Sequence, residues 1–117
     1  MRYAGLDVHL RFTVITVRDR HGEIVRRGTV STTEVALKRF FARIRGRLLI
    51  ACESGSMAAW VFHTLSTRLR EVVVCDARRN RLLVSGSKND RIDADKLSEL
   101  LRIPRFWLRP LPNPYFA

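Results

Sequence analysis

Four carboxylates in this strongly basic chain fall where chemistry rather than solubility would want them. Asp7 sits inside the apolar stretch YAGLDVH, and Glu53 closes the apolar run RLLIACE. Aspartate is disfavoured within strands, so Asp7 needs a reason to be there. Asp90 and Asp93 lie three residues apart in KNDRIDADKL, a spacing that puts two side chains on one face of a helix. Converging carboxylates repel unless a proton or a cation intervenes. Four oxygen donors of this kind suit a hard divalent ion, magnesium or manganese, that keeps positions for water and substrate phosphate. Two such ions about 4 Å apart stabilise the attacking and leaving oxygens of phosphoryl transfer. Each acid taken singly is more simply a solvated surface residue; the joint pattern points to metal.

Other polar residues nearby read differently. Asp95 points away from Asp90 and Asp93 and reads as a solvated bystander. His9, two residues after Asp7, falls on the same side of an ideal strand. It reads first as a partly buried structural histidine and second as a contact to metal or phosphate. Ser54, Ser56, Ser85 and Ser87 occupy loop positions with no His/Asp partner pattern, so no serine nucleophile is assigned.

Holding these acids together requires particular elements. Residues 2–31 alternate apolar and polar side chains in three stretches, RYAGLDVH, RFTVITVRD and EIVRRGTVS, with RHGE as a turn. That predicts an antiparallel three-strand meander. STTEVALKRFFARIRG, with cap candidates first and Gly46 last, predicts a helix burying Leu37, Phe40, Phe41 and Ile44. RLLIACE and EVVVCDA read as strands buried on both faces. Between them, SMAAWVFHTLSTRLR predicts a helix whose core face carries Met57, Trp60, Val61, Leu65 and Leu69. DRIDADKLSELLR predicts a last helix starting at Asp90, with Leu97, Leu100 and Leu101 inward. The order is that of an α/β domain, an antiparallel hairpin edge beside a parallel core joined by helical crossovers. If the first and fourth strands are neighbours, Asp7 and Glu53 meet at the carboxyl ends of parallel strands, where ligand chemistry gathers.

Lys and Arg number 22 against 11 Asp and Glu, a formal net charge of +11 in 117 residues. Such a field favours polyanions and salt-sensitive nucleic-acid binding. The bases recur from Arg18 to Arg81 rather than forming a basic tail. Arg78, Arg79, Arg81, Lys88 and Arg91 are the candidate nucleic-acid-binding residues. Cys52 and Cys75 lack zinc-site spacing and read as small buried hydrophobes in a reduced setting. No stretch has the length of a signal peptide core or a membrane span. A soluble, cytoplasmic protein with no membrane partner is the expectation.

GLDVH, IACESG, VVVCDARRNR and KNDRIDADKLSELL, in this order and at these separations, resemble the DEDD-type transposases of insertion-sequence family 110. The resemblance runs from about Tyr3 to Pro110. Its most specific piece is KNDRIDA: a lysine, a small polar residue, an aspartate, two residues, then aspartate-alanine. The resemblance implies a RuvC-like, ribonuclease-H-type fold, with Asp7, Glu53, Asp90 and Asp93 as a catalytic acidic tetrad binding Mg2+ or Mn2+. Lys88 belongs to the matching motif, as a phosphate contact or as simple local charge balance, and the setting the resemblance implies is prokaryotic and nucleoid-associated. It also implies DNA as substrate, a structured guide (bridge) RNA, and a homodimer or higher oligomer. The attacking serine would come from a C-terminal domain. The expected organisation is a metal- and nucleic-acid-binding domain over 1–103, then a Pro-rich linker over 104–117 to a serine domain absent from this sequence. Little or no strand transfer is expected of this chain alone. Two alternatives keep the fold: a non-catalytic RNA- or DNA-binding dimerisation module, and a stand-alone nuclease resembling a Holliday-junction resolvase.

Overall fold

The first three strands form because residues 2–31 alternate, and they pair as the alternation requires. In the computed structural model, which describes residues 1–75 and 93–102, β1 (Arg2–Val8), β2 (Phe12–Arg18) and β3 (Ile24–Ser31) make an antiparallel meander. The β2–β3 turn is closed by Asp19, whose Oδ1 accepts the backbone N–H groups of His21 and Glu23 at 2.8 and 3.0 Å. Gly22 takes a positive φ of 88° there, a conformation that L side chains rarely adopt.

Helix α1 (Glu34–Ala42) starts at Thr33, whose hydroxyl accepts the Ala36 N–H at 3.2 Å. It ends at Ala42, four residues before the glycine expected to stop it; Gly46, with a φ of 82°, turns the chain into the next strand instead. Then come β4 (Leu48–Glu53), α2 (Ala58–Leu65), β5 (Arg70–Cys75) and α3 (Ala94–Arg102). The strand order is β3-β2-β1-β4-β5, with β1, β4 and β5 parallel. This mixed five-stranded sheet flanked by helices is the expected α/β architecture and is consistent with a RuvC-like, ribonuclease-H-type fold.

Two further helix boundaries differ from expectation. Helix α2 stops at Leu65 rather than Arg70, because Ser66 is extended and Thr67 and Arg70 exchange backbone hydrogen bonds in a tight turn. Leu69 therefore lies on that turn, 55% exposed, while Phe62 takes its place among the buried side chains. Met57 precedes the helix as its cap residue, and Trp60 is partly buried against the core. Helix α3 begins at Ala94 rather than Asp90. Asp93 stands at its N-cap: Oδ1 accepts the Lys96 N–H at 2.8 Å and its carbonyl accepts that of Leu97 at 2.9 Å. Aspartate satisfies orphan N–H groups better there than within a helix. Asp90, Lys88, Arg91, Arg78, Arg79, Arg81 and the proline-rich segment 104–117 lie outside the described residues.

The sheet's faces are covered unequally. On one, Leu6, Ile15, Ile50 and Val74 pack against Leu37, Phe40 and Phe41 of α1 and Val61, Phe62 and Leu65 of α2. On the other, Ala51, Val73 and Cys75 meet Leu97, Leu100 and Leu101 of α3. A Cβ on Gly5 would fall 2.4 Å from the Ala94 carbonyl oxygen and 2.6 Å from the Ser98 nitrogen, so α3 lies with its backbone directly on β1. Among the described residues no helix is long and apolar enough to cross a membrane.

Candidate functional site

The β1–β4 register runs from Arg2 opposite Leu48 to Leu6 opposite Cys52, and its next step is Asp7 beside Glu53. Strand alternation puts Asp7 on the side of Gly5 and Glu53 on the side of Ala51, the face covered by α3. Both carboxylates line one pocket of about 270 Å³ at the carboxyl end of the sheet, together with Ser54, Gly55, Ser56 and Met57. This is the rim at which parallel α/β sheets bind ligands.

Asp7 is mostly buried, with its side chain 15% exposed, and its Oδ2 accepts a hydrogen bond from His9 Nε2 at 3.1 Å. The His9 ring stacks on Phe12 with centroids 4.4 Å apart. The histidine is thus held between an aromatic ring on one side and the Asp7 carboxylate on the other. Burial pushes the Cys52 thiol up to about 12, with the Glu53 charge adding to the effect. Cys75 is also raised to about 12, by burial first, then by Cys52 and Glu53. Neither thiol is a nucleophile at neutral pH.

Helix α3 runs antiparallel to β1. Asp95 in its first turn reaches Thr16 and Arg27 at mid-sheet, Ser98 and Glu99 meet Arg18, and Arg102 packs against Gly22 in the β2–β3 turn. The N-terminal end of α3, with Asp93, therefore lies toward the end of the sheet that carries Asp7 and Glu53. Asp93 is exposed, contributes one oxygen to the helix cap, and is not among the residues lining the Asp7–Glu53 pocket.

The reading of Asp95 as a solvated bystander is corrected. Its carboxylate accepts the hydroxyl of fully buried Thr16 and a two-pronged contact from Arg27 through Nε and Nη2. The Arg27 hydrogen bonds hold Asp95 below the usual carboxylate range, against a smaller opposing effect of burial and with Thr16 helping. Arg18, also mostly buried, donates to Ser98 Oγ at 2.9 Å, the Gly22 carbonyl at 2.8 Å and the Asp95 carbonyl at 3.3 Å. This network fixes α3 on the sheet. The sequence did carry a signal for it: Thr16 and Arg18 interrupt β2 on the face opposite Ile15 and Val17, and Gly5 interrupts β1.

Asp7 and Glu53 are hard oxygen donors on adjacent strand ends, and magnesium is commonly held by one or two carboxylates plus phosphate oxygens and water. The donor chemistry therefore fits Mg2+ or Mn2+. Among the described residues no three His, Cys, Asp or Glu side chains form a metal-binding group. The structure brings Asp7 and Glu53 together and leaves Asp93 on the cap of α3.

No match to this chain was found among curated proteins. The family model of the DEDD-type transposases of insertion-sequence family 110, described as a transposase, matches residues 4–116. That span takes in both strand-end carboxylates and the KNDRIDADKL motif. The chain belongs to the DEDD-type transposases of insertion-sequence family 110.

Proposed function

We propose that this chain is the metal- and nucleic-acid-binding domain with which a DNA transposase positions a phosphodiester for cleavage and exchange. The observation carrying this reading is the register that sets Asp7 beside Glu53 at the carboxyl ends of adjacent parallel strands. In this proposal Asp7, Glu53, Asp90 and Asp93 hold a divalent ion, Mg2+ or Mn2+. When bound, the ion supplies Lewis-acid stabilisation of the oxygens exchanged at phosphorus. Asp7 and Glu53 present carboxylate oxygens from the sheet, and His9 keeps the Asp7 carboxylate in one orientation. Asp93 approaches from the N-terminal end of α3, and Lys88, Arg91, Arg78, Arg79 and Arg81 hold the phosphate backbone.

The proposal extends to partners. A structured guide RNA and DNA are the polyanions that a net charge of +11 would gather. The catalytic unit would be a homodimer or higher oligomer, with the attacking serine supplied by a C-terminal domain beyond a linker over 104–117. Strand transfer by residues 1–117 alone would be negligible.

Thermal unfolding with increasing Mg2+ or Mn2+ tests the metal reading. At roughly a hundredfold excess over Kd, binding to the folded state alone stabilises by about 2.7 kcal/mol. Wild type should show a rising Tm that Asp7→Asn and Glu53→Gln lose. A Tm indifferent to metal in wild type would favour a non-catalytic nucleic-acid-binding module.

A further inference from the structure

The opposite end of the sheet, away from the carboxylates, has a different character. A groove there is lined by Met1, Arg2, Arg20, His21, Arg45 and Arg47. A second hollow, sharing Arg47, adds Arg68 and Leu69. Chain geometry holds these groups together: Arg2 N–H donates to the Arg47 carbonyl at 3.1 Å, and Arg2 Nη1 to the Arg45 carbonyl at 3.4 Å. Gly46, with its positive φ and open surroundings, turns the chain so that Arg45 and Arg47 flank it, both exposed. Among the described residues none of the guanidiniums of Arg2, Arg20, Arg45, Arg47 and Arg68 is ion-paired. The acid in the groove, Asp19, already accepts two backbone N–H groups of its own turn.

We propose that this amino-end pole is a second nucleic-acid surface, which grips the phosphodiester backbone of a duplex without metal. Guanidinium groups without carboxylate partners are the usual backbone contacts, and they position a polymer without reading its sequence. Among the described residues the lining carries no Phe, Tyr or Trp on which unstacked bases could stack, and this separates it from single-strand platforms. Arg2 and Asp7 are five residues apart along β1, about 17 Å at the usual strand rise. That is about twice the screening length of roughly 8 Å at physiological salt, so the poles act as separate electrostatic sites. A duplex held here is a different segment from any phosphate treated at Asp7 and Glu53.

The test is fluorescence anisotropy of a short labelled duplex in EDTA, with salt varied, comparing Arg45→Gln/Arg47→Gln with Lys38→Gln/Arg39→Gln on exposed positions of α1. The pole pair should weaken duplex binding roughly tenfold and flatten the log–log salt dependence by about 1.8, while the helix pair changes both by less than half as much. Parallel arms with duplex DNA and duplex RNA assign the source: greater sensitivity of either identifies the polymer held. Equal losses from both pairs, or equal losses on single strands and duplexes, would overturn the proposal. All four side chains are exposed, and an unchanged Tm confirms that each variant is folded. Because metal is absent throughout, failure here leaves the Asp7–Glu53 reading untouched.

Discussion

The two faces of the sheet are held by different physics. Toward α1 and α2 the contact is a continuous apolar core in which Leu6, Ile15, Leu37, Phe41, Ile50, Val61 and Leu65 are fully or almost fully buried. Toward α3 the apolar part among the described residues is small, and the helix is located by a backbone-on-backbone approach at Gly5 and a polar network through Thr16, Arg18, Arg27, Asp95 and Ser98. Apolar packing is non-directional and tolerates small shifts, whereas directional hydrogen bonds and a missing Cβ admit one register. The face bearing the carboxylates is thus the one with the more specific and less redundant contacts. Damage to the first face should unfold the domain; damage to the second should move α3 and Asp93 while leaving the sheet standing.

Substitutions can break that contrast. Phe41→Ala should have the largest effect, about 3–5 kcal/mol, seen as a loss of cooperative folding in denaturant titration. Gly5→Ala should cost about 1–3 kcal/mol, because the new methyl meets backbone that cannot give way. Its signature is local: amide exchange should rise across Ala94–Arg102 while Leu37–Phe41 stays protected. Equal deprotection of α1 would erase the distinction between the faces. Asp95→Ala should cost about 1–2 kcal/mol, since it leaves the buried Thr16 hydroxyl and Arg27 without their acceptor.

Acid sharpens the same point. The folded state holds Asp95 below its unfolded value, so its contribution is complete above the usual carboxylate range and fades as pH falls through the lowered value. Exchange in α3 should therefore accelerate at acid pH before exchange in α1, and Asp95→Asn should abolish that difference. The smallest effect belongs to Asp93→Ala, about 1 kcal/mol for a lost N-cap, read as fraying of the first turn of α3.

Much of this was legible in sequence because it depends on local pattern. Alternation in residues 2–31 gave the meander, an acid inside the apolar stretch of the first strand singled out Asp7, and the continuous apolar run ending at Glu53 placed that acid at a strand end that topology then set beside Asp7. What escaped depends on distant partners or competing local geometry. Asp95 looked solvated because its acceptor role is defined by Thr16 and Arg27, 79 and 68 residues away in sequence. Leu69 keeps helical spacing with Leu65, yet the Thr67–Arg70 turn ends α2 first. Asp93 shares a helical spacing with Asp90, but a capping hydrogen bond sets it at the start of α3.

The central claim, that Asp7 and Glu53 hold one divalent ion between them, is tested most directly by Mn2+ affinity in a double-mutant cycle. Wild type, Asp7→Asn, Glu53→Gln and the double variant would be titrated and followed by the Mn2+ spin-resonance signal. Shared coordination predicts that each single change weakens binding at least about tenfold and that the double variant is hardly worse, a coupling of 1 kcal/mol or more. Independent, additive losses, or wild-type affinity in either single variant, would contradict it.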